Sequence, residues 1–269
     1  MSGALSRRPS DRGASAPDGA ALLEVDGLRR SFGGVVAVAD ASFGVRAGSL
    51  TGLIGPNGAG KSTVLDMVAG TLTPTAGSIR FAGRDLAGLP PHRVGRMGLI
   101  RVFQRSTVFG RLTVLENLLV GEPTRAGETA LAAIGPKRRW RQVEQQSVAK
   151  ARELLARLDI AHLESEYAAE ASGGQQRLIE LARALMAEPR MLLLDEPLAG
   201  VSPPIAARIA RHLEDLRDAG MTMLMVEHEL AMVERLCDPV VVMANGRVVA
   251  EGTMAEVRAR RDVVGAYLG

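Results

Sequence analysis

The chain has 269 residues, 46% of them hydrophobic and 23% charged, with a formal net charge of +3. That content supports one full-sized α/β domain with a buried core and excludes global disorder, while the small basic excess fits either a solvated surface or attraction to an anionic one. A single cysteine, Cys237, excludes an internal disulfide framework and a cysteine-rich metal site, and no apolar run approaches the roughly 20 residues of a membrane helix.

Residues 1–20, rich in Arg, Ser, Pro and Gly and lacking an apolar h-region, read as a disordered tail rather than a secretory signal. Two β-type runs, 22–25 and 35–45, form an opening antiparallel pair, and residues 49–54 make an apolar strand that enters a glycine-rich turn. A helix over 62–69 follows, then strands over 78–82 and 99–103. From about 112 to 184 no convincing strand occurs, while Val148, Ala151, Leu155 and Leu158 fall at helical spacing. A helical subdomain inserted into a sheet-based core is the expectation there, with residues 123–137 as a loop.

The runs 191–194 and 221–226 are continuously apolar, as in parallel strands buried on both faces. Between them, Ser202 as N-cap, Pro203 at the first helical position and Gly220 at the close bracket a helix. Its Ile205, Ile209, Leu213 and Leu216 share one face. Residues 240–244 and 247–250 make a hairpin, since the intervening Asn245-Gly246 accepts the positive φ angles of a type I′ turn. Thr253 and Glu256 supply a capping box for the last helix.

Four segments carry chemistry. Gly55-Pro56-Asn57-Gly58-Ala59-Gly60-Lys61-Ser62, followed by Thr63, matches G-x-x-x-x-G-K-[ST] between a strand and a helix. The glycines let backbone N–H groups point inward at phosphates, Lys61 adds a point charge, and the Ser62 hydroxyl can ligate Mg²⁺. The strand 191–194 delivers Asp195 and Glu196 to the carboxyl edge of the sheet, where Asp195 can hold Mg²⁺ and Glu196 can polarise an attacking water. Ser172-Gly173-Gly174-Gln175 precedes a helix with Leu178, Leu181 and Leu185 on its apolar face and forms a second anion site, which makes sense if it serves a partner's nucleotide. His228 follows the strand 221–226, which is expected beside the acidic-pair strand. The histidines His92, His162 and His212 have no second ligand at metal spacing, and Cys237 reads as a small core residue.

With Gln104 between the first and third of these segments, their order resembles that of the nucleotide-binding subunits of ABC transporters, over nearly all of residues 22–269. The resemblance implies a P-loop NTPase core of mainly parallel sheet, with an antiparallel β subdomain at its start and an inserted α-helical subdomain over about 112–184, all within an ATPase domain of 21–269. It implies ATP and Mg²⁺ as ligands, Phe32 as an adenine-stacking ring, and Gln104 as a sensor of Mg²⁺ and the attacking water. Two subunits, a homodimer or a pair of paralogues, would pack head to tail, with Ser172, Gly173, Gly174 and Gln175 of one closing over the nucleotide of the other. Permease subunits would cross the membrane, contacted by residues 105–119, with a substrate-binding protein as a further partner and no nucleic acid. The protein would sit in the cytoplasm on the inner face of the membrane.

Particular stretches, among them Gly83-Arg84-Asp85-Leu86, Leu89-Pro90-Pro91-His92-Arg93 and Leu112-Thr113-Val114-Leu115-Glu116-Asn117-Leu118, resemble the branched-chain amino acid uptake group. Relatives for urea or short amides and for lipopolysaccharide extraction share that subgroup. A soluble ABC ATPase of repair or translation is disfavoured because sustained heptads and a second phosphate loop are both missing. There is one departure: Ser202 stands where the family usually has aspartate, in the loop after Glu196.

Overall fold

A computed structural model describes residues 21–102, 108–122 and 137–260, the side chains of 137–141 excepted. The expected tail, Gln104, the expected loop before Lys137 and residues 261–269 lie outside the described residues. The chain opens with two twelve-residue strands, β1 (Ala21–Phe32) and β2 (Val35–Arg46), paired antiparallel. Next come β3 (Leu50–Ile54), α1 (Lys61–Val68), β4 (Ala76–Phe81), β5 (Arg84–Asp85), α2 (Pro91–Arg96) and β6 (Leu99–Val102). Three helices follow, α3 (Val114–Val120), α4 (Lys137–Arg157) and α5 (Gly173–Met186). The chain then alternates through β7 (Met191–Asp195), α6 (Pro203–Asp218), β8 (Thr222–Val226), α7 (Leu230–Leu236), β9 (Val240–Ala244), β10 (Arg247–Gly252) and α8 (Met254–Ala259).

The strands form one mixed sheet of ten, in the order β5-β4-β1-β2-β10-β9-β3-β8-β7-β6. Strands β9, β3, β8, β7 and β6 run parallel, and β5, β4, β1 and β2 run antiparallel at the other end. Every residue of β3, β7, β8 and β9 is buried. Alternation divides their side chains between two cores. Leu192, Leu194, Met223 and Met225 face the one built with α3 to α8, while Met191, Leu193, Leu224 and Val226 face the one built with β1, β2, β4 and α1.

The expected α/β architecture is therefore present, and the differences have local causes. The first strand runs to Phe32 rather than stopping at Val25 because β4 pairs with it as far as Arg29 and β2 pairs with it to its end, past the charged Arg29 and Arg30. The helices α2, α3 and α7 have six or seven residues, too few turns for a periodic signal to emerge from sequence. The hairpin turn is as expected, with Asn245 at φ 49° and Gly246 at φ 73°. Thr253 and Glu256 exchange both capping-box hydrogen bonds, and Cys237 is buried, its thiol pushed up in pKa by desolvation. Ser202 has N-cap geometry, but its hydroxyl makes no capping bond to α6.

His212 of α6 is 4% exposed, its Nε2 has no hydrogen-bond partner, and Asp159 Oδ2 is 3.7 Å away. Burial lowers its pKa below 6.5; Asp159 and Asp215 oppose this shift, and Arg208 and Arg211 add to it. The unfolded chain then takes the proton first, so stability is full above pH 6.5 and falls as pH drops through it. His212→Gln should flatten this acid loss. Between pH 7.5 and 5.5 the wild-type melting temperature should fall by about 2–4 °C more than that of the variant. Equal losses in a thermal melt would show that His212 accepts its proton in the native state.

Candidate functional site

The strand β3 ends at Ile54, and residues 55–60 carry the chain into α1. At the N-cap of α1, Gly60 has φ 99°, and a Cβ there would lie 2.5 Å from the Ala37 carbonyl oxygen of β2. Only glycine allows both the angle and the approach. Having no side chain, Gly60 makes no capping bond, so the N-cap leaves the first-turn amides of α1 without the oxygen that most helices supply. That is the arrangement in which a helix start binds an anion. Ala59 anchors the loop in the core built with β1, β2, β4 and α1, at 2% exposed, while Asn57 and Gly58 are exposed.

Lys61 is 5% exposed, and its Nζ donates to the carbonyl oxygens of Gly55 at 2.7 Å and Pro56 at 2.9 Å. Burial lowers the pKa of this ammonium, and the nearby Glu196 and then Asp195 pull it back up. Neutral carbonyls are weaker partners for an ammonium than phosphate oxygens. Ser62 is exposed and Thr63 half-buried at the helix start. Phe32, at the end of β1, is 48% exposed with the Arg30 guanidinium 4.9 Å from its ring centroid.

Asp195 closes β7 at 7% exposed. Arg101 of β6 spans from it to α1: its Nη2 donates to Asp195 Oδ2 at 2.7 Å, and its Nη1 donates to Asp66 Oδ1. Among the described residues Asp195 Oδ1 enters no hydrogen bond, which leaves a hard oxygen of the kind Mg²⁺ takes. Glu196 follows at φ 51°, a costly angle for a residue with a side chain. Its N–H donates to Val226 O at 3.0 Å, and its Oε1 lies 3.0 Å from His228 Nε2. With the carboxylate accepting, Nε2 carries the proton. Both side chains are roughly two-fifths exposed.

Ser172 is the N-cap of α5, and its local bonds differ from a bare anion site. Ser172 Oγ accepts from Gln175 N at 3.4 Å, and Ser172 N donates to Gln175 Oε1 at 2.8 Å. The hydroxyl proton remains available to donate. The two glycines do different work: a Cβ on Gly174 would lie 2.3 Å from Ile205 Cγ2 of α6, whereas one on Gly173 would meet nothing within 4 Å. Gly174 thus lets α5 approach α6, and Gly173 faces open space. Among the described residues no hydrogen bond or ion pair joins Ser172, Gly173, Gly174 or Gln175 to Lys61, Asp195, Glu196 or His228.

Three residues at this edge were missed in sequence. Arg101 and Asp66 form the ion pairs described above. The one available signal was a charge inside the otherwise apolar strand 99–102. Glu227, between β8 and His228, is 3% exposed. Its Oε1 accepts from Leu198 N at 2.9 Å and its Oε2 from His228 N at 3.0 Å. Nothing in local sequence reveals those partners.

The ABC transporter family model matches residues 38–199 of this chain. The chain is 38% identical over 248 residues, 92% of its own length and 95% of the relative's, to a probable branched-chain amino acid transport ATP-binding protein, LivG, of Archaeoglobus fulgidus. It is 36% identical over 249 residues, 92% of its length and 98% of the relative's, to the high-affinity branched-chain amino acid transport ATP-binding protein BraF of Pseudomonas aeruginosa. Its backbone is similar to a nucleotide-free ATP-binding cassette from an ABC transporter, with a TM-score of 0.80 at 36% identity, covering 93% of this chain and all of that one. The ADP conformation of such a cassette matches with a TM-score of 0.79 at 36% identity, over 93% of this chain and 99% of that one. With this much of it matched in both sequence and backbone, the chain belongs to the ABC transporter family, as one of its ATP-binding, ATP-hydrolysing cassettes.

Proposed function

We propose that this chain powers uptake of branched-chain or other hydrophobic amino acids, working as one of two ATPase subunits packed head to tail. The observation that carries the ATPase chemistry is the 3.0 Å bond between His228 Nε2 and Glu196 Oε1, one residue beyond the buried Asp195. The names of the relatives support the cargo. Among the described residues no helix is long and apolar enough to cross a membrane, so separate permease subunits provide the path. The cassette docks on them from the cytoplasmic face through residues 105–119, and a substrate-binding protein delivers the cargo.

In this reading Lys61 gives up its two loop carbonyls for phosphate oxygens, which accept charge-assisted bonds better. The uncapped amides of α1 and the backbone of residues 55–60 take the remaining phosphate oxygens. Phe32 stacks on the adenine with the ring face that Arg30 leaves open. Ser62 and Asp195 are the oxygen donors that would hold Mg²⁺, with Gln104 as a third; the ion supplies neutralisation of phosphate charge. Glu196 takes a proton from the attacking water, while His228 restrains its carboxylate at Oε1. Ser172 donates its free hydroxyl proton to the nucleotide of the partner copy, with the open side of Gly173 allowing close approach, and Gln175 keeps the segment in its capping box.

Glu196→Gln should lower kcat for ATP hydrolysis by about 10²–10⁴-fold and leave ATP bound, read by phosphate release and by nucleotide retained on the protein. Turnover at the normal rate would remove Glu196 as the base. Lys61→Ala should weaken ATP binding roughly 10- to 100-fold, the loss of a charged hydrogen bond. Unchanged affinity in a titration with labelled nucleotide would contradict its role. Ser172→Arg should keep monomer affinity for ATP within about two-fold and abolish the ATP-induced dimer in the Glu196→Gln background. A normal dimer by light scattering would rule out a site completed in trans.

A further inference from the structure

Glu227 is a carboxylate placed where a core residue would otherwise sit, 3% exposed between the end of β8 and His228. A buried carboxylate is unfavourable unless its oxygens are satisfied. Each oxygen of Glu227 accepts one backbone amide, and the two amides belong to different loops: Leu198, two residues after Glu196, and His228. The residue therefore ties the loop leaving β7 to the loop leaving β8.

Three bonds join these loops. Glu196 N donates to Val226 O, Leu198 N donates to Glu227 Oε1, and His228 Nε2 meets Glu196 Oε1. The last is between side chains about two-fifths exposed, so water competes for it. The Glu227 bond is shielded from water. Between these anchors Glu196 adopts φ 51°. A residue held at such an angle is strained and stays there only when its surroundings dictate it.

We infer that Glu227 is a positioning residue for hydrolysis: its buried carboxylate clamps the two loops together and so holds Glu196 in the backbone conformation that aims its carboxylate. This rests on the reading of Glu196 as the base. It explains why a carboxylate occupies a core position. A side chain with one acceptor leaves one amide unpaired, and an apolar one leaves both, freeing the segment 196–198 to relax toward an ordinary φ. Nucleotide binding, which depends on Phe32 and on residues 55–63, none of which Glu227 bonds, is untouched.

The test compares Glu227→Ala and Glu227→Gln in the full chain with wild type and with Glu196→Gln. The measurements are kcat by phosphate release, affinity for a fluorescent non-hydrolysable ATP analogue, and the melting temperature. Glu227→Ala should lose about 10- to 100-fold in kcat, the effect of a misplaced catalytic group, with nucleotide affinity within two-fold of wild type. Glu227→Gln, which keeps one acceptor at the same volume, should recover part of that loss. If Glu196→Gln is inactive while both Glu227 variants turn over within two-fold of wild type, the positioning role is wrong and the base assignment stands. Should affinity fall in step with kcat, or both variants fail to fold, Glu227 is a structural residue only. Normal turnover by Glu196→Gln would instead remove the base assignment, and the inference with it.

Discussion

The register of the parallel strands is the constraint on which the rest of this molecule depends. Leu53 of β3 and Asp195 of β7 both lie opposite Val226 of β8, so β7 and β8 end on one row and β3 ends one residue past it. Within two residues beyond that row stand the phosphate loop, Glu196 and His228. Because β7 and β8 are apolar on both faces, a slip by one residue would exchange one core for another at little penalty along most of the strand. The ends resist it. A slip of β7 would draw Asp195 into an apolar core and away from Arg101, leaving a buried charge unpaired, which costs about 3–5 kcal/mol. The residue proposed to hold Mg²⁺ also pins the strand that presents it.

Arg101 extends this logic sideways. It reaches from β6 to Asp195 at the end of β7 and to Asp66 on α1, so the helix that follows the phosphate loop and the strand that carries the acids are joined by one guanidinium with two carboxylate partners. Arginine suits the place because its planar fork addresses two acceptors at fixed geometry and never loses its charge. It also offsets the negative charge of Asp66, Asp195 and Glu196 beside a site that must admit a polyphosphate. Lys61, meanwhile, is held by loop carbonyls and sensed by both acids, a cation kept within reach of the edge where phosphate would arrive.

The two glycine-rich segments illustrate how one residue type serves different ends. In the phosphate loop Gly60 answers to a positive φ and to the Ala37 carbonyl pressed against it. In the segment before α5, Gly174 answers to Ile205 of a neighbouring helix, and Gly173 meets nothing within 4 Å among the described residues. Identical letters in sequence thus separate into a turn requirement, a packing requirement and an open approach, and that separation depends on what lies across the gap.

Sequence alone determined the elements whose signal is local and repeated: the doubly buried strands, the phosphate loop between strand and helix, the capping box at Thr253 and Glu256, and the Asn245-Gly246 turn. Each is written in neighbouring residues, because φ preferences, capping bonds and burial periodicity act over a few positions. It also placed Asp195, Glu196 and His228 on adjacent strand ends. Tertiary structure alone decided the long reach of β1, the short helices α2, α3 and α7, and the partners of Arg101 and Glu227. Those depend on groups far apart along the chain, such as Leu198 and Glu227 or Asp66 and Arg101, which meet only when the sheet closes. A hydrogen bond needs its two atoms within about 3 Å, and no pattern in a linear sequence encodes a distance across a fold.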